Sequence, residues 1–504
     1  MIIFSDKANF KRDNFPALFD FLDGHSIEYG YDESNDDLKK AWGVYDYARF
    51  SQEHRAIAES DVGSYLGVDL HECLKDEIFS RYALHNDWSL SKKQSESELL
   101  EFLKEYFPDE FRNCRAVACF WIDYWDQLFS KLKPVAAMSF GGNLIYSKIF
   151  LAVAKKRAVP GFVLEHFFTG HDFYLEPRYS SLPNSSFLRS KKFTEALNIK
   201  RSTPDSEVWK KIYSQSNKNV SQPAFTSCKL RNYALVLAQV PNDFSIFSKT
   251  NKWKNSIGFY KEVISEILDF TEDPVVIKVH PYERMKNKGA SISTFDAIKD
   301  YREQLTHAKR ERLHIVEDYS LSGLISGCKY AVTLNSQSGL EVAGHAKPLI
   351  CFGGAFYGDR GFTIDLTEIS QIREVVPNLK FSEELLRSYS KFLSAAFSHL
   401  VGSGEVEKVR LIFSNINLRK RKIGGAAPAK LGNASGPIVL AKPQSSLTPS
   451  VAPKVASKGG NSGAMQKGAT DRQGKLWKKF KKDPRGYCLD SKHAVLRFIG
   501  RKIL

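Results

Sequence analysis

The second half of the sequence alternates short apolar runs with amphipathic segments. Runs such as YALVL, VVIK and YAVTL predict buried strands, and segments of helical period such as GFYKEVISEILDFT predict helices between them. Strands buried on both faces and separated by helices are typical of a parallel sheet covered by helices on each side. The chain from Asn232 onward is therefore predicted to form an α/β domain.

Polar residues follow the predicted strands of this domain. They occur in residues 239–243, in the pair His280-Pro281, in residues 335–339 and in residues 353–361. Parallel α/β sheets bind their ligands beyond the carboxyl ends of the strands. We therefore expect these four segments to converge on one edge of the sheet and to form the functional site.

The first 220 residues contain a similar pattern. PVAAMSF followed by GGNLIYSKIFLAVAKKRAVPGFVLEHFF predicts a strand, a glycine turn, a helix and a second strand. A polar stretch with two prolines, residues 201–229, predicts a hinge between domains. The expected organisation is a first domain over 1–225, a second with closing helices over 226–416, a disordered Gly/Ala/Pro/Ser linker over 417–472 and a basic amphipathic segment over 473–504.

The excess of basic over acidic residues is confined to the C-terminal end of the chain. Residues 419–504 carry 20 Lys and Arg against 3 acidic residues, whereas residues 1–418 carry 53 basic and 54 acidic residues. The seven cysteines have no CxxC spacing, so reduced thiols are expected. No apolar run is long enough to span a bilayer and the N-terminus does not have the pattern of a signal peptide, which predicts a cytoplasmic protein.

A candidate anion site lies after the predicted strand that ends at Leu334. Ser336, Ser338 and Gly339 precede a predicted helix. Two hydroxyls, free amides at a helix start and a glycine that permits close approach suit a phosphate. Capping of the helix by either serine is the structural alternative.

The segment VVIKVHP places two further candidates on the same predicted edge. His280 could donate a hydrogen bond to a leaving phosphate, Lys278 could supply positive potential, and Pro281 would hold the loop. A solvent-facing lysine and a structural histidine in an ordinary turn are the alternatives.

Two acidic residues follow predicted strands in different domains. Asp243 ends QVPND in the second domain, and Glu165 lies in GFVLEHFF in the first. One carboxylate from each side of a site suits glycosyl transfer, in which one acts as nucleophile or base and the other donates or accepts a proton. Turn capping is the structural alternative for each.

The motifs QVPNDFSI, KVHP and TLNSQSGLEVAGHAKPLICFGGAFYGDRGFT, in this order, resemble the capsule polysaccharide synthesis family of retaining β-Kdo transferases. That family shares an HP motif and a Ser-rich motif with bacterial sialyltransferases. The resemblance covers roughly residues 133–363. It implies a GT-B fold with two Rossmann-like domains facing a cleft, the first on the acceptor side and the second binding the nucleotide sugar, with CMP-Kdo as the donor.

The resemblance also implies roles for individual residues. Asp243 would be the nucleophile that forms a ketosyl-enzyme adduct, Glu165 the acid/base, and His280 a contact of the CMP phosphate. The segment EHFFTGHDFYLEPRY departs from the family pattern around Glu165. Asp172 and Glu176 are therefore alternative candidates for the acid/base. The remaining implied donor-site residues are Gln239, Lys278, Pro281, Ser336, Ser338, Gly339 and Glu341.

No metal or other cofactor is expected. No DxD follows a predicted strand, and the sequence contains no HxH or HExxH. A CMP leaving group has one phosphate, which side chains and helix amides can stabilise without a divalent ion.

The basic C-terminal segment intersperses Trp477, Phe480 and Phe498 among Lys and Arg. Such a composition suits an anionic membrane surface, with a solvated disordered tail as the alternative. We therefore expect a peripheral protein on the inner face of the cytoplasmic membrane. Its expected partners are a CMP-sugar donor, a lipid-linked glycan acceptor and other capsule assembly proteins, without nucleic acid.

The sequence thus predicts transfer of Kdo from CMP-Kdo to a lipid-linked acceptor in capsule or surface polysaccharide biosynthesis, with retention. An inverting, sialyltransferase-like CMP-sugar transferase would use Asp243 as a base instead. A non-catalytic glycan-binding scaffold of capsule assembly is a rival from another class. A nucleic-acid-binding protein ranks last because the body of the chain is neutral.

Overall fold

The structure is a computed structural model of the 504-residue chain. The residues that it describes are 1–60, 62–85, 95–182, 184–196, 205–213, 230–248, 251–287, 290, 292–380, 382–414 and 429–430. Apart from the last pair, the predicted linker 417–472 and basic segment 473–504 lie outside the described residues. No helix in the described ranges is both long enough and apolar enough to cross a membrane.

Two sheets organise the described chain. The first has the strand order β14-β7-β6-β5-β1-β2-β15, the second β10-β9-β8-β11-β12-β13, and β3 and β4 form a separate hairpin. The strands are β1 Ile2–Phe4, β2 Tyr29–Tyr31, β3 Ser64–Tyr65, β4 Val68–Asp69, β5 Ala136–Phe140, β6 Gly161–His166, β7 Asp172–Pro177, β8 Tyr233–Leu237, β9 Val275–Lys278, β10 Leu313–Val316, β11 Cys328–Thr333, β12 Leu349–Cys351, β13 Ile364–Asp365, β14 Val401–Gly402 and β15 Ala429–Lys430.

Helices connect and cover these strands. They are α1 Pro16–Gly24, α2 Asp36–Ala41, α3 Gln52–Glu59, α4 Leu70–Tyr82, α5 Glu96–Tyr106, α6 Pro108–Leu132, α7 Ile145–Lys156, α8 Lys191–Ala196, α9 Asp205–Tyr213, α10 Ser256–Phe270, α11 Glu283–Lys286, α12 Thr294–Glu303, α13 His307–Arg312, α14 Leu321–Gly327, α15 Ser338–Gly344, α16 Ile372–Val375, α17 Glu383–His399 and α18 Val406–Ile412.

The second sheet is parallel throughout. Its strands β8, β9 and β11 are buried along nearly their whole length, as expected of strands covered on both faces. Each strand and helix named above for this part of the sequence is present. The prediction of an α/β fold with two Rossmann-like halves is therefore confirmed.

The first sheet is parallel over β6, β5, β1 and β2, and β7 runs antiparallel to β6. The predicted strand-turn-helix-strand unit corresponds to β5, α7 and β6. The chain returns to this half near its end, because β14 pairs with β7 and Phe413 stacks on Phe21. The closing segment that the sequence assigned to the second domain thus packs on the first half from Val401 onward.

Helix α4 connects the two halves. Its Ser80 Oγ donates to the backbone oxygen of Asn242 at 2.8 Å, and the ring of Phe79 lies 6.1 Å from that of Phe247. On the same helix, the fully buried Glu77 accepts hydrogen bonds from the backbone N–H of Ile145 and from the hydroxyl of Tyr45. One helix therefore fixes the start of α7 and a loop of the second half.

We expect Glu77→Ala to lower the free energy of unfolding by about 2–4 kcal/mol, since it leaves a buried N–H and a buried hydroxyl without partners. Chemical denaturation measures this change. The control is Glu101→Ala, which removes an exposed carboxylate from α5 and should change stability by at most about 0.5 kcal/mol. Equal effects of the two substitutions would contradict the role assigned to Glu77.

Candidate active site

The loops after β8 and β11 are joined by buried amide side chains. Gln239 Nε2 donates to Ser245 Oγ at 2.9 Å and to Asn335 Oδ1 at 3.0 Å, and Gln239 Oε1 accepts from the Asn335 backbone N–H. Asn335 Nδ2 donates in turn to the backbone oxygen of Ser245 at 2.9 Å. Gln239, implied as a donor-site residue by the resemblance, is thus part of the network that fixes the edge of the sheet.

Asp243 lies in the loop after β8, immediately before a 3-10 turn over Phe244–Phe247. Its Oδ1 accepts a hydrogen bond from the Ser245 backbone N–H at 2.9 Å, so it caps this turn. Its side chain is half-buried. Capping fixes the orientation of the Asp243 carboxylate. The role of Asp243 as a nucleophile remains a prediction.

The loop that carries Asp243 is held from both sides. Asn242 is fully buried, its backbone oxygen accepts the hydrogen bond from Ser80, and its side-chain amide exchanges two hydrogen bonds of 3.0 and 3.2 Å with Asn287. The first half and the segment after α11 therefore both determine where Asp243 lies.

Glu165 lies near the end of β6 in the first half. Its Oε1 accepts from the backbone N–H of His166 at 3.3 Å, and its Oε2 lies 3.1 Å from the position that a Cβ on Gly141 would occupy. Gly141 has a φ of +64°, which also favours glycine. The pKa of Glu165 is raised to about 8, mainly by burial; the His166 backbone N–H and Lys286 oppose the rise, and the charge of Asp243 adds to it. Glu165 is therefore mainly protonated at neutral pH.

His280 ends the segment that follows β9. Its Nδ1 accepts a hydrogen bond from the Tyr282 backbone N–H at 3.2 Å, so the proton of the neutral ring lies on Nε2. Burial lowers the pKa of His280 to about 4; Lys278 and Lys286 lower it too, and Asp243 opposes them. His280 is therefore a neutral hydrogen-bond donor at physiological pH. Pro281 is half-buried at the start of the turn.

Lys278 is buried, and its ammonium donates to the backbone oxygens of Val279 at 3.0 Å and Glu317 at 2.6 Å. Burial lowers its pKa to about 8. These bonds hold the ends of β9 and β10 together, and a contact of Lys278 with the donor remains a prediction.

The serine loop is compact. Ser336 Oγ accepts from the Ser338 backbone N–H at 3.2 Å, and both side chains are half-buried. A Cβ on Gly339 would lie 2.9 Å from Leu349 Cδ2 and would overlap the hydroxyl of Tyr357, which donates to the backbone oxygen of Ser336. Glycine is therefore required there for packing. The half-buried Glu341 follows on α15, and the predicted donor contacts of this loop remain predictions.

The two substitutes considered for Glu165 have other partners. Asp172 accepts hydrogen bonds from Lys211 at 2.6 Å and from the Thr169 hydroxyl at 2.7 Å. Glu176 pairs with Arg178 at 2.8 Å. Glu165, by contrast, lies close enough to Asp243 for their charges to interact.

The structure adds a residue that the motifs did not identify. Lys286, the last residue of α11, interacts electrostatically with Asp243, Glu165 and His280. The motifs gave no signal for Lys286, because its interaction with Glu165 joins residues that are far apart in the sequence. Asp243, Glu165, His280 and Lys286 thus form one electrostatically connected group, which we call the acid–histidine cluster.

The described residues contain no group of three or more His, Cys, Asp or Glu side chains placed to hold a metal ion. A cavity of about 560 Å³ lies elsewhere in the second half, along β10 and α12, and is lined by residues such as Phe295, Arg302 and Tyr319. None of the residues proposed above as site residues lines this cavity. The acid–histidine cluster therefore lies outside this cavity.

Residues 191–391 match the family described as capsule polysaccharide biosynthesis protein. The resemblance deduced from the motifs is thereby confirmed. No curated protein matches the chain.

Among solved structures, the chain is similar to KpsC of Thermosulfurimonas dismutans described as a beta Kdo 2,4 transferase, with 18% identity over 52% of this chain and 80% of that chain and a TM-score of 0.35. A KpsC structure of the same organism described as a beta Kdo 2,7 transferase has 14% identity over 62% and 96% of the two chains and a TM-score of 0.33. The glycosyltransferase SnogD of Streptomyces nogalater has 14% identity over 82% and 98%, with a TM-score of 0.32. These TM-scores are below 0.5, so the fold class rests on the two sheets themselves.

The two Rossmann-like halves have the GT-B arrangement that the resemblance implied. Together with the family match, they support a glycosyltransferase-like protein of capsule polysaccharide biosynthesis.

The raised pKa of Glu165 predicts a pH-dependent stability. Because the folded state holds the Glu165 proton up to a pKa of about 8 and the unfolded state releases it near 4.5, wild-type stability should fall between these pH values by at most about 1.4 kcal/mol per pH unit. Glu165→Gln has no such proton. Its free energy of unfolding relative to the wild type should therefore rise with pH across this range, as measured by denaturation at several pH values.

The exposed Glu101→Gln is the matched control and should leave the pH dependence of the wild type unchanged. A Glu165→Gln difference that does not change between pH 4.5 and 8 would contradict the protonated state assigned to Glu165.

Proposed function

We propose, from the capsule polysaccharide biosynthesis family that residues 191–391 match, that this chain transfers Kdo from CMP-Kdo to a lipid-linked acceptor, with retention through a ketosyl-enzyme intermediate. The observation that carries the proposal is the electrostatic interaction of Glu165 in the first half with Asp243 in the second. One carboxyl group from each half would then act at the reacting carbon of the sugar, as double displacement requires.

In the first step, an oxygen of Asp243 forms a bond to C2 of Kdo while the bond from C2 to the CMP phosphate breaks. The electron pair leaves with CMP, and the Nε2–H of His280 donates a hydrogen bond to the phosphate oxygen as negative charge develops on it. No proton has to be transferred in this step, because CMP leaves as an anion. A neutral His280 suits this role.

In the second step, the acceptor hydroxyl attacks C2, the bond to Asp243 breaks, and the hydroxyl proton passes to Glu165. Glu165 has to be ionised to accept it. Formation of the adduct converts Asp243 into an uncharged ester, which removes one of the charges that raise the pKa of Glu165, and Glu165 then releases its own proton to the solvent. The first step therefore prepares Glu165 for the second.

We propose that Ser336, Ser338 and Gly339 lie at the donor phosphate and that no divalent ion takes part. We also propose that the basic segment 473–504 binds the anionic inner face of the cytoplasmic membrane, where a lipid-linked acceptor would be available. This placement rests on composition alone.

The test is intact-mass spectrometry of the protein with CMP-Kdo, with and without a lipid-linked acceptor. The wild type should gain the mass of one Kdo at Asp243, and Glu165→Gln should accumulate this adduct because the base of the second step is lost. Asp243→Asn should form no adduct. Both substitutions should lower product formation by about a hundredfold to ten-thousandfold.

Asp300→Asn, on the exposed face of α12, is the control and should behave as the wild type. Product formation without an adduct in any variant, but lost in Asp243→Asn, would favour the inverting alternative with Asp243 as the base. Absence of CMP release from the wild type with every acceptor would favour a non-catalytic scaffold.

A further inference from the structure

Lys286 carries a positive charge into the acid–histidine cluster at a fixed position. It ends α11, the single helical turn after His280-Pro281. The start of this turn is anchored by Glu283, which is 2% exposed and accepts from the Thr294 backbone N–H at 2.6 Å. Its end is anchored by Asn287, whose side-chain amide pairs with that of Asn242. The residue after Lys286 is therefore hydrogen-bonded to the residue before Asp243.

The ammonium of Lys286 reaches the first half. It lies 5.4 Å from the centroid of the Trp42 ring, a cation–π contact, and it forms no salt bridge within 4 Å with a described carboxylate. Trp42 has a φ of +41°, an unusual conformation for a bulky residue. The loop that follows is held by the hydrogen bond from Tyr45 to Glu77. The indole of Trp42 therefore lies beside the ammonium, in a segment that α4 anchors through Tyr45.

Two other basic side chains, those of His280 and Lys278, lie in or near the cluster. His280 is neutral because its pKa is about 4, and the ammonium of Lys278 is bound to two backbone oxygens. Lys286 is the cation that interacts with both Asp243 and Glu165. Burial lowers the pKa of Lys286, and the charges of Asp243, Glu165 and Glu283 oppose this change.

A donor of the ulosonic acid class creates an electrostatic problem at this site. Its reacting carbon bears a carboxylate, so an anionic nucleophile that attacks this carbon approaches a second negative charge within a few ångströms. Like charges at this distance repel strongly when they are partly buried. A positively charged group that interacts with the nucleophile and with the substrate carboxylate removes the repulsion.

Building on the function proposed above, we propose that Lys286 binds the carboxylate on the reacting carbon of the donor and thereby selects ulosonic acids over sugars without this group. The phosphate lies apart, at His280 and the serine loop. Lys286 then contacts the sugar rather than the nucleotide, and the Trp42 ring keeps the ammonium in place. Loss of Lys286 should weaken recognition of the sugar and leave recognition of CMP intact.

The experiment compares kcat/KM for CMP-Kdo with the inhibition constant of CMP in the wild type, Lys286→Gln, Lys286→Arg and Arg284→Gln. Lys286→Gln should lower kcat/KM by about tenfold to a hundredfold, the loss of one charge-assisted hydrogen bond, and change CMP inhibition by less than about threefold. Lys286→Arg retains the charge and should recover part of the loss. Arg284→Gln removes an exposed charge from the same helical turn and should change neither constant.

A pH profile adds a readout that a purely structural role would not move. Since the charge of Lys286 lowers the pKa of Glu165, Lys286→Gln should raise this pKa and shift the rise of kcat to higher pH.

Three results would overturn the proposal. The first is an unchanged kcat/KM in Lys286→Gln. The second is a parallel loss of CMP inhibition, which would place the ammonium at the phosphate. The third is a wild type that neither uses CMP-Kdo nor is bound by CMP; in that case the donor assignment itself fails and the role of Lys286 fails with it, whereas the first two results leave the donor assignment standing.

Discussion

The position of the loop after β8 is the constraint on which the site depends. Its backbone accepts a hydrogen bond from Ser80 of the first half, its Asn242 pairs with Asn287, and Gln239 joins it to Asn335 after β11. Each of these bonds is buried or partly buried, where an unpaired polar group would cost about 1–3 kcal/mol. The loop therefore has one favourable position, and that position brings Asp243 close enough to Glu165 for their charges to interact.

Electrostatic interactions then give the residues of the acid–histidine cluster different protonation states. Burial alone would disfavour charge on every one of them, but the mutual interactions act with different signs. Glu165 keeps its proton up to a pKa of about 8, His280 stays neutral, and Lys286, which contacts Trp42 of the first half, balances the charge of the acids. A protonated acid beside a carboxylate, with a neutral donor next to both, is the arrangement in which two carboxyl groups perform different tasks.

The fold of the second half could be predicted from the sequence because its strands are buried on both faces and read as unbroken apolar runs, for example at Tyr233–Leu237. The same pattern predicted which polar segments follow the strands and therefore lie at one edge of the sheet. Very short strands such as Ile2–Phe4 carry too few residues for a pattern, and the return of Val401 to the first sheet is a long-range pairing that local sequence does not encode.

The chemistry of the site was predictable only in part. Positions after predicted strands identified Asp243, Glu165 and His280, and the resemblance assigned a role to each. Sequence spacing could not show that the ammonium of Lys278 is bound by two backbone oxygens or that Gly339 is required by Tyr357, because both depend on residues far along the chain. Lys286 was missed for the same reason: its importance comes from Trp42 and Glu165, which lie in the other half.

The most direct test of this account is a crystal structure of the protein with CMP bound. The account predicts a phosphate within hydrogen-bond distance of His280 Nε2 and of the Ser336 and Ser338 hydroxyls, with Asp243, Glu165 and Lys286 around the space where the sugar would follow. A nucleotide bound instead in the cavity along β10 and α12, away from His280, would contradict it.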